Sequence, residues 1–321
     1  MWCGGVNLRP QFSDYTGVTP ALMLLRRGIP LSFLWQNIRT ELLVVIAYVL
    51  VIAVIDENKL VNVAIPATVP TILGTAISLL LGFRTNQGYE RWWEARIVWG
   101  AIVNDSRTLV RQLLTFTQGR EDRAGRQYRS FALRQAAFCY ALGDSLRGME
   151  ATRQIGSLVS TEALEELGRH DNVPNALLLQ HGRALGELHQ RELINDFQQV
   201  QIDSTLRRLC DSMGKCERIK NTVFPSAYSL IVHIFLYLFL AALPFALVES
   251  FGLGQIPIVI AVAAIFFLIE KSADYLQDPF ENRPTDTPMT AIARTIEINL
   301  RQMITDREVP EKLRPEAYYL M

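Results

Sequence analysis

Residues 63–83, 223–248 and 251–269 contain no aspartate, glutamate, lysine or arginine. A helix of about 20 residues crosses the hydrocarbon core of a bilayer, so each run is long enough to span it. In lipid every backbone polar group must be paired within the segment, which confines such runs to helices. A fourth uncharged run, Leu42–Ile55, has 14 residues, a length equally suited to a buried core helix. Its neighbour favours a span, because the link "DENKLVN" is short enough to close a helical hairpin with the run that follows. Four spans are expected. Pro66 and Pro70 make the start of the second irregular, and broken backbone at membrane depth needs protein or a water-filled cavity beside it.

Positive charge sets the orientation. Lys59 is the only lysine or arginine in the links between spans one and two and between spans three and four. Arg26, Arg27, Arg39, Arg84, Arg91, Arg96, Lys215, Arg218, Lys220 and Lys271 flank the opposite ends. Such residues accumulate on the cytoplasmic side, so both termini and the long middle segment are expected in the cytosol. No basic start, apolar core and small-residue cleavage site precede the first span, so no signal peptide is expected. The reading divides the chain into a cytosolic N-terminal segment (1–41), spans one and two (42–83), a cytosolic helical region (84–222), spans three and four (223–270) and a cytosolic C-terminal segment (271–321).

The second run ends in "RTNQGYERWWEARIVWG", Arg84–Gly100. On a helix leaving the membrane, Tyr89, Trp92, Trp93 and Trp99 suit headgroup depth, while Arg84, Arg91 and Arg96 reach cytosolic phosphates. An aromatic belt leaves one feature over. Trp92 and Trp93 are adjacent, about 100° apart on a helix, so at least one faces protein.

From Ser106 to Thr222 the pattern is helical, with turns expected at "EDRAGRQYR" and "RHDNVPNA". Ile202, Leu206, Leu209, Met213 and Cys216 alternate by four and three, the seam of a helix packed on a neighbour. Lys+Arg and Asp+Glu are both 32, which gives no positive excess for nucleic acid. Cys3, Cys139, Cys210 and Cys216 form no CxxC pair and read as ordinary thiols. His170, His181 and His189 lack the spacing of a helical metal pair and read as solvated surface residues. His233 lies inside the third span, where an ionisable group faces an interior, as a pore or polar contact or as a neutral imidazole bonding a carbonyl. No catalytic or phosphate-cradling string occurs, so no enzyme and no cofactor are expected.

In the second span Thr75, Leu79 and Phe83 share one stripe, beside a small-residue stripe of Gly74, Ser78 and Gly82. Small residues let helices approach closely. Copies of the first stripe around an axis would stack one hydroxyl ring and two apolar rings, a constriction that gates by dewetting. Periodicity equally allows contact with lipid or simple packing.

"TAISLLLGFRTNQGYERWWEARIVWG" resembles the most characteristic segment of the bestrophin family. "CERIKNTVFPSAY" and "QDPF" follow in family order, and "RTIEINLRQM" looks like the bacterial branch. The likeness runs from about Arg26 to Met303. It implies an all-α membrane protein with four transmembrane helices and a cytosolic helical portion per subunit, assembled as a homopentameric ring around a central pore. The second helices would line a neck at Thr75, Leu79 and Phe83, with a cytosolic aperture at Phe224. Arg84, Tyr89, Arg91, Trp92, Trp93 and Glu94 would form a packed signature at the membrane boundary. The partners implied are further copies of the chain, the lipid bilayer of a bacterial inner membrane and permeant monovalent ions.

Two departures from the family matter. Many relatives carry isoleucine or phenylalanine in the layer that is Thr75 here, so this ring is expected to wet more easily. Eukaryotic relatives follow Asn/Asp-Pro-Phe with a dense acidic run that clasps calcium. Here "DPFENRPTDTPM" offers only Asp278, Glu281 and Asp286, with Arg283 among them, against the 6–8 oxygens calcium takes. No calcium clasp is expected. The sign of the ion stays open: the resemblance implies chloride from eukaryotic members and monovalent cations from some bacterial ones, and Asp56 and Glu57 in the outer link could concentrate cations at the mouth. A helical scaffold without a pore and a carrier are the rivals. The carrier is disfavoured because the second half shows no broken partner for the span that begins at Pro66 and Pro70.

Overall fold

The structure, a computed structural model, describes residues 31–58, 65–117, 121–222, 226–283 and 285–313. Among them are nine α-helices and no strand. These are α1 (Leu31–Glu57), α2 (Thr68–Phe116), α3 (Glu121–Leu146), α4 (Thr161–Leu167), α5 (Val173–Gln190), α6 (Asp196–Asn221), α7 (Ser226–Phe251), α8 (Gln255–Gln277) and α9 (Met289–Met303). A single 3-10 turn at Gly252–Gly254 separates α7 from α8. Three stretches are long and apolar enough to cross a membrane: Trp35–Glu57, Thr68–Phe116 and Ala227–Gln277, the last comprising α7, the turn and α8.

The helices form two packed bodies. In the apolar bundle, α1, the first half of α2, α7 and α8 bury Val49, Ile77, Val232, Leu236, Val259, Ala263 and Phe267 against one another. In the helical body the second half of α2 joins α3, α5, α6 and α9 around Trp99, Phe131, Phe138, Ile202, Leu209 and Ile296. Because α2 runs unbroken for 49 residues, it belongs to both bodies, and Phe83 and Arg84 lie within one helix with no boundary between them. At 1.5 Å per residue it is about 73 Å long.

Several expectations change at this level. The 14-residue run is only the middle of α1, which has 27 residues and includes Arg39 and Glu41. Glu41 is tolerated because Lys271 of α8 pairs with it at 2.9 Å. The start of the second run is irregular as expected, since residues 65–67 including Pro66 are not helical, but the helix beyond is unbroken. The helix starts at Thr68, so Pro70 sits in the first turn, where a missing N–H costs nothing. A proline does lie within the second half of the chain, Pro244 inside α7. Proline disturbs the carbonyls of the preceding turn. One of them, Ala241 O, accepts a 2.8 Å hydrogen bond from the Tyr48 hydroxyl of α1, and α7 stays helical throughout.

"EDRAGRQYR" is helix and not turn, since α3 begins at Glu121. Burial of Phe131, Phe138 and Leu142 along the same helix outweighs the roughly 1 kcal/mol that Gly125 costs in helix. "RHDNVPNA" does contain a turn, ended by Asn172, whose side chain accepts from Asn175 N at the start of α5. The seam Ile202, Leu206, Leu209, Met213 and Cys216 is buried along α6. His181 is not solvated. It is fully buried, its ring packed on Phe131, and burial together with the Arg134 charge holds its pKa well below 6.5. The stability contributed by this neutral imidazole is present above pH 6.5 and is lost as pH falls below it.

Candidate functional site

Thr75, Leu79 and Phe83 lie on one exposed face of α2, with Leu79 60% and Phe83 57% exposed. Ile77 and Leu81, on the other side of the same helix, are buried in the bundle. The Thr75 hydroxyl donates to Thr71 O at 2.8 Å, so it is satisfied within the helix while its oxygen stays open to a further donor. The face continues through Val69, Ile72, Tyr89, Trp93 and Ile97, all exposed. A contiguous apolar face of this kind marks contact with a partner, lipid or a channel.

Behind this face, α7 packs closely on Gly74, since a Cβ there would lie 3.0 Å from the Phe239 ring. Ser78 donates back to Gly74 O. Gly82 has no side-chain or neighbouring atom within 4 Å of the same position. Close approach therefore accounts for Gly74 and not for Gly82. A third glycine matters more and was not singled out from sequence. A Cβ on Gly88 would meet Ala273 O at 3.1 Å and Leu276 Cβ at 3.2 Å, so α8 crosses α2 here at a distance where any larger residue would push it outward by a few tenths of an ångström. A glycine in mid-helix, where alanine is favoured, was the available signal.

The signature residues work inside the fold. Arg84 is 3% exposed and pairs with Asp274 at 2.5 Å, with Glu270 at 3.8 Å and with Ser229 Oγ at 3.1 Å. Arg91 donates through Nε to Gln277 O, through Nη1 to Thr222 O and through Nη2 to Ile219 O, at 2.9, 2.8 and 2.7 Å. It thereby ties the C-terminal carbonyls of α6 and α8 to α2. Neither arginine is free to reach a phosphate. Both are used inside the fold because the last turns of neighbouring helices and two acidic side chains of α8 converge on them. Trp92 Nε1 donates to Thr285 O at 2.9 Å, and Glu94 pairs with Arg218 at 2.6 Å. Tyr89 and Trp93 stack with rings 8° from parallel on the exposed face. Trp99, expected in the belt, is fully buried in the helical body. It is two turns from Trp92, and α2 has by then entered that core.

Asp56 and Glu57 are exposed in the last turn of α1. Phe224, assigned to the aperture, lies outside the described residues. His233 reaches Glu270 at 2.7 Å. In the loop after α8, Lys220 holds Glu281 at 2.5 Å and Arg283 lies over the Tyr275 ring. Asp286 accepts from Arg283 N, and burial pushes its carboxyl up to about 6. No group of three or more potential metal ligands occurs among the described residues.

Comparison with known proteins places the chain in a family. The family model described as Bacterial/Fungal Bestrophin protein matches residues 23–302. The voltage-dependent anion channel-forming protein YneE of Escherichia coli K12 is 34% identical over 249 residues, covering 78% of this chain and 80% of that protein. Its namesake in Salmonella typhi is 32% identical over 301 residues, covering 93% and 95%. The crystal structure of a bacterial bestrophin homologue from Klebsiella pneumoniae superimposes with a TM-score of 0.79 at 30% identity, covering 84% of this chain and all of that one. The chain belongs to the bestrophin family, in the branch shared by bacteria and fungi.

Proposed function

We propose that copies of this chain, five by the family's pattern, form a ring in which the exposed faces of α2 surround a water path for small monovalent ions. Thr75, Leu79 and Phe83 form its neck and Phe224 its cytosolic aperture. One observation carries the reading: a helix that buries Ile77 and Leu81 on its opposite side leaves a hydroxyl, a leucine and a phenylalanine in register on an exposed stripe. The protein is an integral membrane protein and no enzyme. Each subunit crosses a bacterial inner membrane four times, with both termini in the cytosol. The formal assignment is an anion channel, as the named relatives are anion channel-forming proteins.

A second reading rests on Asp56 and Glu57, exposed where α1 ends. A ring of such carboxylates at the outer mouth favours cations. Reversal potentials of the purified protein in a planar bilayer under asymmetric KCl decide between the two, since the sign of the potential follows the permeant ion. Leu79→Ala combined with Phe83→Ala removes two apolar layers and is expected to raise leak or abolish selectivity severalfold. Flux that stays at background before and after the change would leave α2 as packing and the protein as a scaffold, whereas saturating flux with a preferred solute would indicate a carrier.

Calcium does not fit the loop after α8. Glu281 is held by Lys220 and Asp286 is buried and already bonded to backbone, which leaves far fewer than the 6–8 oxygens calcium takes. Currents are expected to be the same in a calcium chelator and in micromolar calcium. Current that appears only with calcium would overturn this.

A further inference from the structure

Six ionisable side chains from four helices converge where the apolar bundle meets the helical body. Glu41 comes from α1, Arg84 from α2, His233 from α7, and Glu270, Lys271 and Asp274 from α8. Tyr237, one turn along α7 from His233, is the other titratable group facing them. With the His233 ring neutral, two cations (Arg84, Lys271) oppose three carboxylates (Glu41, Glu270, Asp274), a net charge of −1; with the ring protonated the sum is zero. Glu270 is only 5% exposed, and a surplus charge in such a place is costly.

The polar geometry is incomplete in the same spot. Arg84 Nε and Nη1, His233 Nδ1 and Glu270 Oε1 are buried without a hydrogen-bond partner among the described residues. The 2.7 Å approach of His233 Nδ1 to Glu270 Oε1 is thus an ion-pair contact without hydrogen-bond alignment. One proton on the ring supplies the missing charge, opposite a carboxylate only 2.7 Å away. Imidazole is the side chain whose charge ordinarily changes between about pH 5 and 8.

We propose that His233 and Glu270 are positioning residues that form a proton-operated latch on the neck, an inference that rests on reading α2 as the pore wall. Arg84 follows Phe83 directly, about 100° around the helix, so clamping one side chain to α7 and α8 fixes the direction of the other. A proton taken from water by His233 neutralises the cluster, draws α7 onto Glu270 of α8, which also faces Arg84, and so holds Phe83 in the narrow position. When the proton leaves, the surplus charge sets Glu270 against Asp274, one turn further along α8, and the clamp loosens.

The test uses the purified protein in planar bilayers, with both baths stepped from about pH 8 to about pH 5.5. Wild-type current is expected to fall by more than half. His233→Gln and, independently, Glu270→Gln are expected to remove that dependence. In detergent, the thermal midpoint of wild type relative to His233→Gln is expected to rise on acidification. Buried His181 acts in the opposite direction but equally in both proteins, so it cancels in the difference. Wild-type current indifferent to pH, or a His233→Gln variant that keeps the wild-type profile, overturns the latch. A protein that passes no current sinks the channel reading alone. The thermal comparison then decides the latch: a pH-independent difference overturns it.

Discussion

Arg91→Ala is expected to lower stability by roughly 3–5 kcal/mol, one of the two largest effects of any single change considered. A hydrogen bond from a charged donor contributes about 1.5–3 kcal/mol, and a buried carbonyl left without a partner costs about 1–3. Arg91 serves the carbonyls of buried Gln277 and Ile219 and of exposed Thr222 together, and the three bonds act as one unit, so their values do not simply add. Its charge also sits at the C-terminal ends of α6 and α8, where a helix dipole favours a cation. Lysine at this position is expected to recover little, because an ammonium cannot reproduce the planar fork. The thermal unfolding midpoint of the detergent-purified protein measures the loss. Proteolysis gives a second readout, as cleavage after α8 should become faster when Gln277 is released. A lysine variant as stable as wild type would show that charge alone, without the fork, is what the site requires.

Trp99→Ala is expected to cost about 3–5 kcal/mol, the range for truncating a fully buried large aromatic. Trp99 is 0% exposed and lies beside Gly143, whose added Cβ would come within 4.0 Å of the indole and 3.4 Å of Met289. The core around it cannot collapse without shifting α3 and α9. Trp93→Ala, on the exposed face, is expected to leave the folded body intact and to weaken whatever covers that face, which is read as a change in oligomer size by gel filtration. The two tryptophans thus separate folding from assembly. Equal losses of thermal stability in the two variants would contradict the placement of Trp99.

The apolar runs were legible because length and absence of charge are one-dimensional facts that survive any packing. The α6 seam was legible for a similar reason, since a 3.5-residue period needs only one neighbour to be meaningful. What the sequence hid was the destination of polar side chains. Arg84, Arg91 and Trp99 look like membrane-surface residues by their position after an apolar run, yet each finds its partner more than 40 residues away in the chain: Asp274, Gln277 and the α3–α9 core. His181 was misjudged because isolated histidines are mostly exposed, and its burial is set by the apolar neighbours of α3 and α5. The start of α3 was misjudged because a cluster of charges with one glycine reads as a turn until a core pulls it into helix. Gly88 was missed because its importance lies in the backbone that passes over it.

The uninterrupted course of α2 has a mechanical consequence. A rod about 73 Å long with no joint acts as a lever. Pivoting it by a single degree about one tip carries the opposite tip through roughly 1.3 Å, and twisting its distal half turns Phe83 by nearly the same angle. Strain applied to the helical body therefore arrives at Phe83 without any intermediate part having to change shape.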